Sequence, residues 1–225
     1  DLTTNELQHF HEQVAQVIEV CYPDDINYHE VLLEHWHQAS NLEKEILYLL
    51  PTLEHMILPR AEYELAHRLL DRCYVKVSDH HPQRAYLLLE NIGLLTAQGR
   101  HDEAKRIGEQ VHTLGTQVSN VHVLAHYHWR MGTLEREDGN LDIASEHLQT
   151  SLTLFQSLQA NLQTAHVIND IASLANTLGD LQMAQDYYRQ AIAIYEKLGK
   201  QDKALRSIGN LGLTYLHAKQ YDRAY

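Results

Sequence analysis

Apolar residues recur at spacings of three and four along most of this chain, a pattern that predicts helices. From Asp180 to Leu198 they fall at Ala184, Tyr187, Tyr188, Ala191, Tyr195 and Leu198, one stripe on one helix. Leu141, Ala144, Leu148, Leu152, Phe155 and Leu158 make the same stripe one unit earlier. The helices before these are predicted over 120–138 and 160–178. They end at Gly139 and Gly179, residues able to adopt the left-handed conformation that closes a helix. Asn140 or Asp142, and Asp180, are available to cap the helices that follow. The first eighty residues are less regular but still helical, with elements predicted over Asn5–Cys21, Asn27–Ala39, Glu43–Leu58 and Glu62–Val77. No strand alternation and no hairpin dipeptide between apolar runs is present.

The second part repeats. Gly99, Gly139, Gly179 and Lys219 follow one another at a constant interval of forty positions, and five places after each comes an alanine: Ala104, Ala144, Ala184 and Ala224. Seven before the last three are small residues, Gly132, Ala172 and Gly212; the first unit departs by one place, with Gly93 six before Gly99. A fixed period in this range is the signature of a stacked-repeat architecture. The small residues let one helix approach its partner closely. Because alanine packs there, Ala184→Leu is expected to wedge a pair apart, whereas Gln185 is taken as exposed and tolerant. All four prolines lie at or before residue 82 and all ten glycines at or after Gly93. Pro-set corners are therefore expected in 1–80, an irregular helical segment that becomes repeat-like in its second half, and Gly-permitted turns in 81–225.

The small residue, the turn residue seven later and the alanine five after that, as in Leu211-Gly212-Leu213-Thr214-Tyr215 followed by Lys219 and Ala224, resemble the tetratricopeptide repeat. The resemblance covers about 82–225 and implies an all-α, right-handed α-solenoid of stacked antiparallel helix pairs. The usual unit is about 34 residues, and the extra length is assigned to connectors such as Leu198-Gly199-Lys200-Gln201-Asp202. Long repeats of this kind are similar to the sensor regions of maltose-activator-type regulators, peptide-sensing bacterial regulators and kinesin light chains. The stretch Leu32-Leu33-Glu34-His35-Trp36-His37-Gln38-Ala39 with Tyr48-Leu49-Leu50 resembles the segment joining the ATPase core to the array in signal-transduction ATPases with numerous domains. No GxxxxGK[ST] occurs here. The last unit stops one turn into its second helix, at Tyr221–Tyr225. It is therefore read as a piece of a larger array or as an open repeat through which the chain could self-associate.

Charge narrows the partners. Eighteen Lys and Arg against thirty Asp and Glu give a net charge of −12. Such a chain is poorly suited to phosphate backbones or to an anionic membrane surface. No apolar run approaches membrane-spanning length, and the start, Asp1-Leu2-Thr3-Thr4-Asn5-Glu6, has no leader pattern. Cys21 and Cys73 lie among apolar neighbours and are expected to be buried thiols, in keeping with a cytoplasmic protein.

Seventeen histidines invite a metal or catalytic reading. His122 and His126 share a helix face; His126 and His128, His9 and His11, and His35 and His37 diverge, while His80-His81 falls in a turn. No three converge on a zincin or zinc-ribbon spacing, so neither metal nor cofactor is assigned. No GxSxG or protease cysteine signature is present, and Glu135/Glu137 reads as a solvated pair. No catalytic residue is assigned.

What remains is the concave face lined by the first helix of each pair. This face carries His126, Trp129, Arg130, Thr133 and Arg136, then His166, Asn169, Asp170, Ser173 and Asn176, then Arg206 and Asn210, with Tyr86, Glu90 and Asn91 in the unit before; all but Arg136, Asn176 and Tyr86 are taken as recognition candidates. Asn91, Asn169 and Asn210 recur near one place, where the resemblance implies amides that hold a ligand backbone from two sides. Trp129 is either a packed residue or a groove anchor. The expected function is non-catalytic recognition of a protein or peptide segment or a small effector, as the sensor or scaffold of a larger bacterial-type signalling ATPase or transcription regulator. The alternative is a stand-alone assembly scaffold or co-chaperone.

Overall fold

The computed structural model describes residues 3–79, 81 and 83–219. Among them there is no strand. The chain divides into two compact units, one ending at Gln98 and the other beginning at Gly99.

The first unit contains α1 (Thr4–Cys21), α2 (His29–Gln38), α3 (Leu42–Thr52), α4 (Tyr63–Tyr74) and α5 (Arg84–Ala97). Thr3 and Glu6 cap α1 reciprocally, the threonine hydroxyl accepting from Glu6 N–H and the carboxylate accepting from Thr3 N–H. Leu33, Ile46, Leu49, Leu53, Ala66, Leu70, Cys73 and Leu87 form its main core. The prolines do not all set corners. Pro51 lies inside α3, and from Leu53 to Ile57 the backbone relaxes into a π turn before a 3-10 turn at Leu58–Arg60. Proline removes one N–H and crowds the preceding turn, here the one at Leu47, yet α3 runs through it to Thr52.

Two carboxylates knit this unit together. Glu45 on α3 is fully buried, with Arg72 Nε at 2.8 Å, Lys76 Nζ at 2.9 Å and His37 Nδ1 at 2.9 Å. Glu19 on α1 accepts from Trp36 Nε1 (3.1 Å), Lys44 Nζ (3.0 Å) and Tyr48 Oη (2.7 Å). Each acid thus joins three segments through charge-assisted bonds. Cys73 is buried here, its thiol pushed up to about 12 by burial and by Glu45. Cys21, expected inside, is exposed because it lies on the flank of α1 turned away from α2.

The second unit is a stack of antiparallel helix pairs: α6 (His101–Gln117), α7 (Val121–Glu137), α8 (Leu141–Ser157), α9 (Asn161–Leu178), α10 (Leu181–Lys197) and α11 (Gln201–His217). Every connector is two or three residues long, the one at Leu198–Lys200 included. The extra repeat length therefore sits in helices of 17 or 18 residues and not in the connectors. Each turn is made by one left-handed residue, at Gly99, Ser119, Gly139, Gln159, Gly179, Gly199 and Lys219, so the turns recur at half the repeat interval. The period is thus two equal halves, and only some of the turns use glycine. Asp180 caps α10 through Met183 N–H, whereas Asn140 leaves its helix uncapped and donates to Glu135 instead.

Close packing at the small residues is real. Ala104, Ala144 and Ala184 are fully buried. A Cβ built on Gly132 would stand 2.7 Å from Leu148 Cγ and 3.1 Å from Leu148 backbone N, so only glycine lets α7 meet α8 here. Gln185 is not the exposed neighbour expected, being 2% accessible. Glu135 is buried too, and is paired with Lys105 at 3.1 Å. Ala224, His80 and Pro82 lie outside the described residues, as do residues 220–225, where the second helix of the open terminal repeat is expected.

Candidate functional site

The first helices α7, α9 and α11 carry the predicted recognition residues of the second unit, and two lateral hydrogen bonds link them. Trp129 Nε1 on α7 donates to Asp170 Oδ2 on α9 at 2.6 Å. Ser207 Oγ on α11 donates to Asn169 Oδ1 on α9 at 2.8 Å. Asn169 Nδ2 in turn reaches Asp170 Oδ1 at 3.3 Å. A chain of polar contacts therefore runs across three successive repeats.

Trp129 is half-buried. Its ring lies 5.4 Å from His166, 5.8 Å from His126 and 6.3 Å from Phe155, with the Arg130 guanidinium 5.5 Å from its centroid. His166 continues to Tyr195 at 5.6 Å. Trp129 is thus part of the packing between repeats while one edge remains open. His126 is held neutral: burial, then the charges of His122, Arg130 and His166, push its pKa down to about 3. Burial raises the Asp170 carboxyl, opposed by the Trp129 bond, Arg136, Asn169 and Arg130. Burial also raises the Tyr195 hydroxyl, which feels Asp170 and Arg206.

The predicted residues separate into two groups. Thr133 spends its hydroxyl on the Trp129 carbonyl at 3.2 Å. The Ser173 hydroxyl bonds Tyr188. Asn169 has both ends of its amide engaged by Ser207 and Asp170, so the two-sided amide foreseen for a ligand is already used inside the fold. Arg206 is exposed and Asn210 half-buried, one turn apart on α11, and neither side chain has a hydrogen-bond or ion-pair partner among the described residues. Glu90 and Asn91 stand on α5 in the first unit, where Asn91 Oδ1 is buried without a hydrogen-bond partner among the described residues.

One residue of this face, Ser207, was missing from the expected set, whereas Arg136 and Asn176 were expected on it. Ser207 stands where the preceding unit has Val167, and a hydroxyl at an apolar place of the repeat is a signal the period could have given. Arg136 and Asn176 occupy the same position of successive repeats, and Arg136 Nε and Asn176 Oδ1 are both buried with no hydrogen-bond partner among the described residues.

Four of the other histidines form two local pairs. His11 and His35 face each other through Nδ1 at 2.8 Å, and His128 and His147 do so at 2.9 Å. Burial, then His147 and His112, push His128 down to about 4. Among the described residues no group of three or more His, Cys, Asp or Glu is placed to hold a metal ion. No helix of the described residues is long and apolar enough to cross a membrane.

A family model described as tetratricopeptide repeat matches residues 122–197 and 163–224. No curated protein sequence matches the chain. Among solved structures it is similar to the Signal Transduction ATPase with Numerous Domains protein with a tetratricopeptide repeat sensor from Pyrococcus horikoshii. The identity is 14% and the TM-score 0.70, over 99% of this chain and 33% of that one. It is similar to BtubC (BKLC) from P. vanneervenii, at 15% identity and TM-score 0.62, over 100% of this chain and 87% of that one. It is also similar to a Rap protein complexed with competence and sporulation factor, at 15% identity and TM-score 0.70, over 96% and 68%. The chain spans one third of the length of the signal-transduction ATPase. At these identities the likeness is one of fold.

Proposed function

Since residues 122–224 place this chain in the tetratricopeptide-repeat family, we propose that the face of α7, α9 and α11 recognises an extended peptide or protein segment without chemistry of its own. The observation that carries this reading is the contrast within the face. Trp129, Asn169, Asp170 and Ser207 are bonded to one another and form a fixed wall, while Arg206 and Asn210 beside them are left uncommitted. A guanidinium and an amide one turn apart suit a ligand that offers a carboxylate and a backbone amide. Fixing the wall in advance lowers the ordering cost of binding. The fold likeness to a repeat sensor in a signalling ATPase and to a Rap protein with its bound factor supports a sensor or scaffold role in a larger cytoplasmic regulator. A small effector is the narrower version of the same reading.

Trp129 is a poor test residue, because its removal would strip the donor from buried Asp170 and disturb packing as well as any ligand contact. Arg206→Gln and Asn210→Ala are the better pair. The measurement is fluorescence anisotropy with labelled random peptide pools of acidic, neutral and basic composition. The acidic pool should bind best, and each substitution should weaken it about tenfold, the ~1.4 kcal/mol of one good polar contact. If neither variant differs from the parent, or if no pool binds, this face is not the recognition surface.

A further inference from the structure

Helix α1 covers only one of its sides. Ala15 is fully buried and His11 and Ile18 are half-buried, His11 facing His35 of α2, while Glu19 takes Trp36 of α2 and Tyr48 of α3. A second apolar stripe runs along the same helix at Leu7, Phe10, Val14, Val17 and Cys21, the alternating three-and-four spacing of a coiled-coil seam. Leu7 is 42% exposed, Phe10 53% and Val17 60%; Val14 is half-buried and Cys21 exposed. Scattered exposed apolar residues are ordinary, but a continuous helical seam of them marks an interaction surface.

We propose that this seam pairs with the same seam of a second copy, in an antiparallel α1–α1 dimer. Charge is the first argument. The first unit carries six Lys and Arg against sixteen Asp and Glu, 6 − 16 = −10, so most of its surface repels another copy. The five seam residues carry no charge. Self-complementarity is the second. With one helix reversed about Val14, Leu7 meets Cys21, Phe10 meets Val17 and Val14 meets itself, so large residues face small ones. The exposed flank of Glu6, Gln13 and Val20 then lies against Val20, Gln13 and Glu6, and no like charges meet. A parallel pair would instead set Phe10 on Phe10 and Glu6 on Glu6 with the helix dipoles aligned. An 18-residue helix is about 27 Å long, so the contact is small and the dimer depends on concentration.

Light scattering of the chain across about 1 to 300 µM, where small interfaces assemble, should show the mass rise from 26.0 kDa toward twice that value. The double variant Phe10→Glu with Val17→Glu should stay at 26.0 kDa with unchanged helix content, since both positions are solvent-facing. Orientation is read by disulfide formation with oxidised glutathione as the oxidant. Leu7→Cys should cross-link into a covalent dimer through Cys21 of the second copy, whereas the parent, whose Cys21 thiols lie at opposite ends of an antiparallel pair, should not. Cys73 is buried and stays silent. A monomer at every concentration overturns the proposal. So does a dimer that survives the double substitution, or a parent that cross-links through Cys21 alone.

Discussion

The two units solve the same problem, packing helices closely, by different chemistry. In the first, helices of unequal length meet around two carboxylates, Glu45 and Glu19, each satisfied by side chains from other segments. In the second, helices of nearly equal length meet through glycine and alanine at Gly132, Ala144 and Ala184, and the lateral polar bonds lie along the face of the first helices. A repeat can use small residues because one solution serves every unit. An irregular segment has no such economy, and its unequal helices are joined by particular charged contacts. The difference also explains where each unit is vulnerable: the first to loss of one charge, the second to added bulk.

The largest expected effect follows from Glu45. Removing a buried charge leaves Lys76 and His37 without their carboxylate and Arg72 with Glu34 alone, at 3.1 Å. Glu45→Ala should cost about 3–5 kcal/mol, the scale for breaking a buried pair from one side. Urea titration followed by the fluorescence of Trp36, which is buried in the first unit, is the measurement. A loss below about 1 kcal/mol would mean that this network behaves as an exposed one, and the contrast between the units would fall.

Much of the second unit was legible in the sequence, because a period multiplies weak signals. Gly139 and Gly179 close helices where expected, and Ala104, Ala144 and Ala184 are buried where expected. What stayed hidden has no local signature. Glu45 and Arg72 stand on different helices, α3 and α4, and Trp129 and Asp170 on α7 and α9, so neither pair appears in any helical spacing. Gln185 was misplaced because a polar residue beside a packed alanine reads as solvent-facing, although it falls on the buried flank of α10. Cys21 was misplaced for the converse reason: apolar neighbours mark an apolar stripe, and α1 has two of them. The candidate face was legible as a set of positions on first helices. Which of its side chains the fold had already engaged was not.

A smaller effect comes from a half-buried histidine of the second unit that is kept neutral. His126 has an ordinary pKa of about 6.5 when unfolded and about 3 when folded, so between those values the unfolded chain binds the extra proton. Its contribution is complete above pH 6.5 and is lost as pH falls toward 3. About 1–2 kcal/mol should be gone by pH 5. His128 moves the same way, and so does His35 in the first unit, which makes the substituted chain the proper reference. His126→Phe, an apolar ring of similar shape, should lessen the fall in urea midpoint between pH 7.5 and pH 5 relative to the parent. An unchanged slope would mean that His126 is protonated in the fold and that the aromatic row from His126 to Tyr195 is more open to water than its packing implies.

The smallest effect tests the half-repeat period of the turns, on which the regularity of the second unit rests. Gly139 and Gly179 have φ of +82°, and a Cβ built on either meets nothing within 4 Å, so alanine there would cost backbone strain alone. Gln159 makes the equivalent turn at φ +54° with a side chain that is exposed. A residue with a Cβ in this conformation costs roughly 1–2 kcal/mol, and glycine gives back about 0.5–1 kcal/mol of that relief in lost unfolded-state entropy. Gln159→Gly should therefore stabilise the chain by about 0.5–1 kcal/mol, and Gly139→Ala should destabilise it by about the same amount. Both are read as shifts in urea midpoint at constant slope. The two signs together are the test. If Gln159→Gly destabilises, as a glycine within a helix would, then that turn is not equivalent to the glycine turns, and the second unit repeats by whole helix pairs without repeating helix by helix.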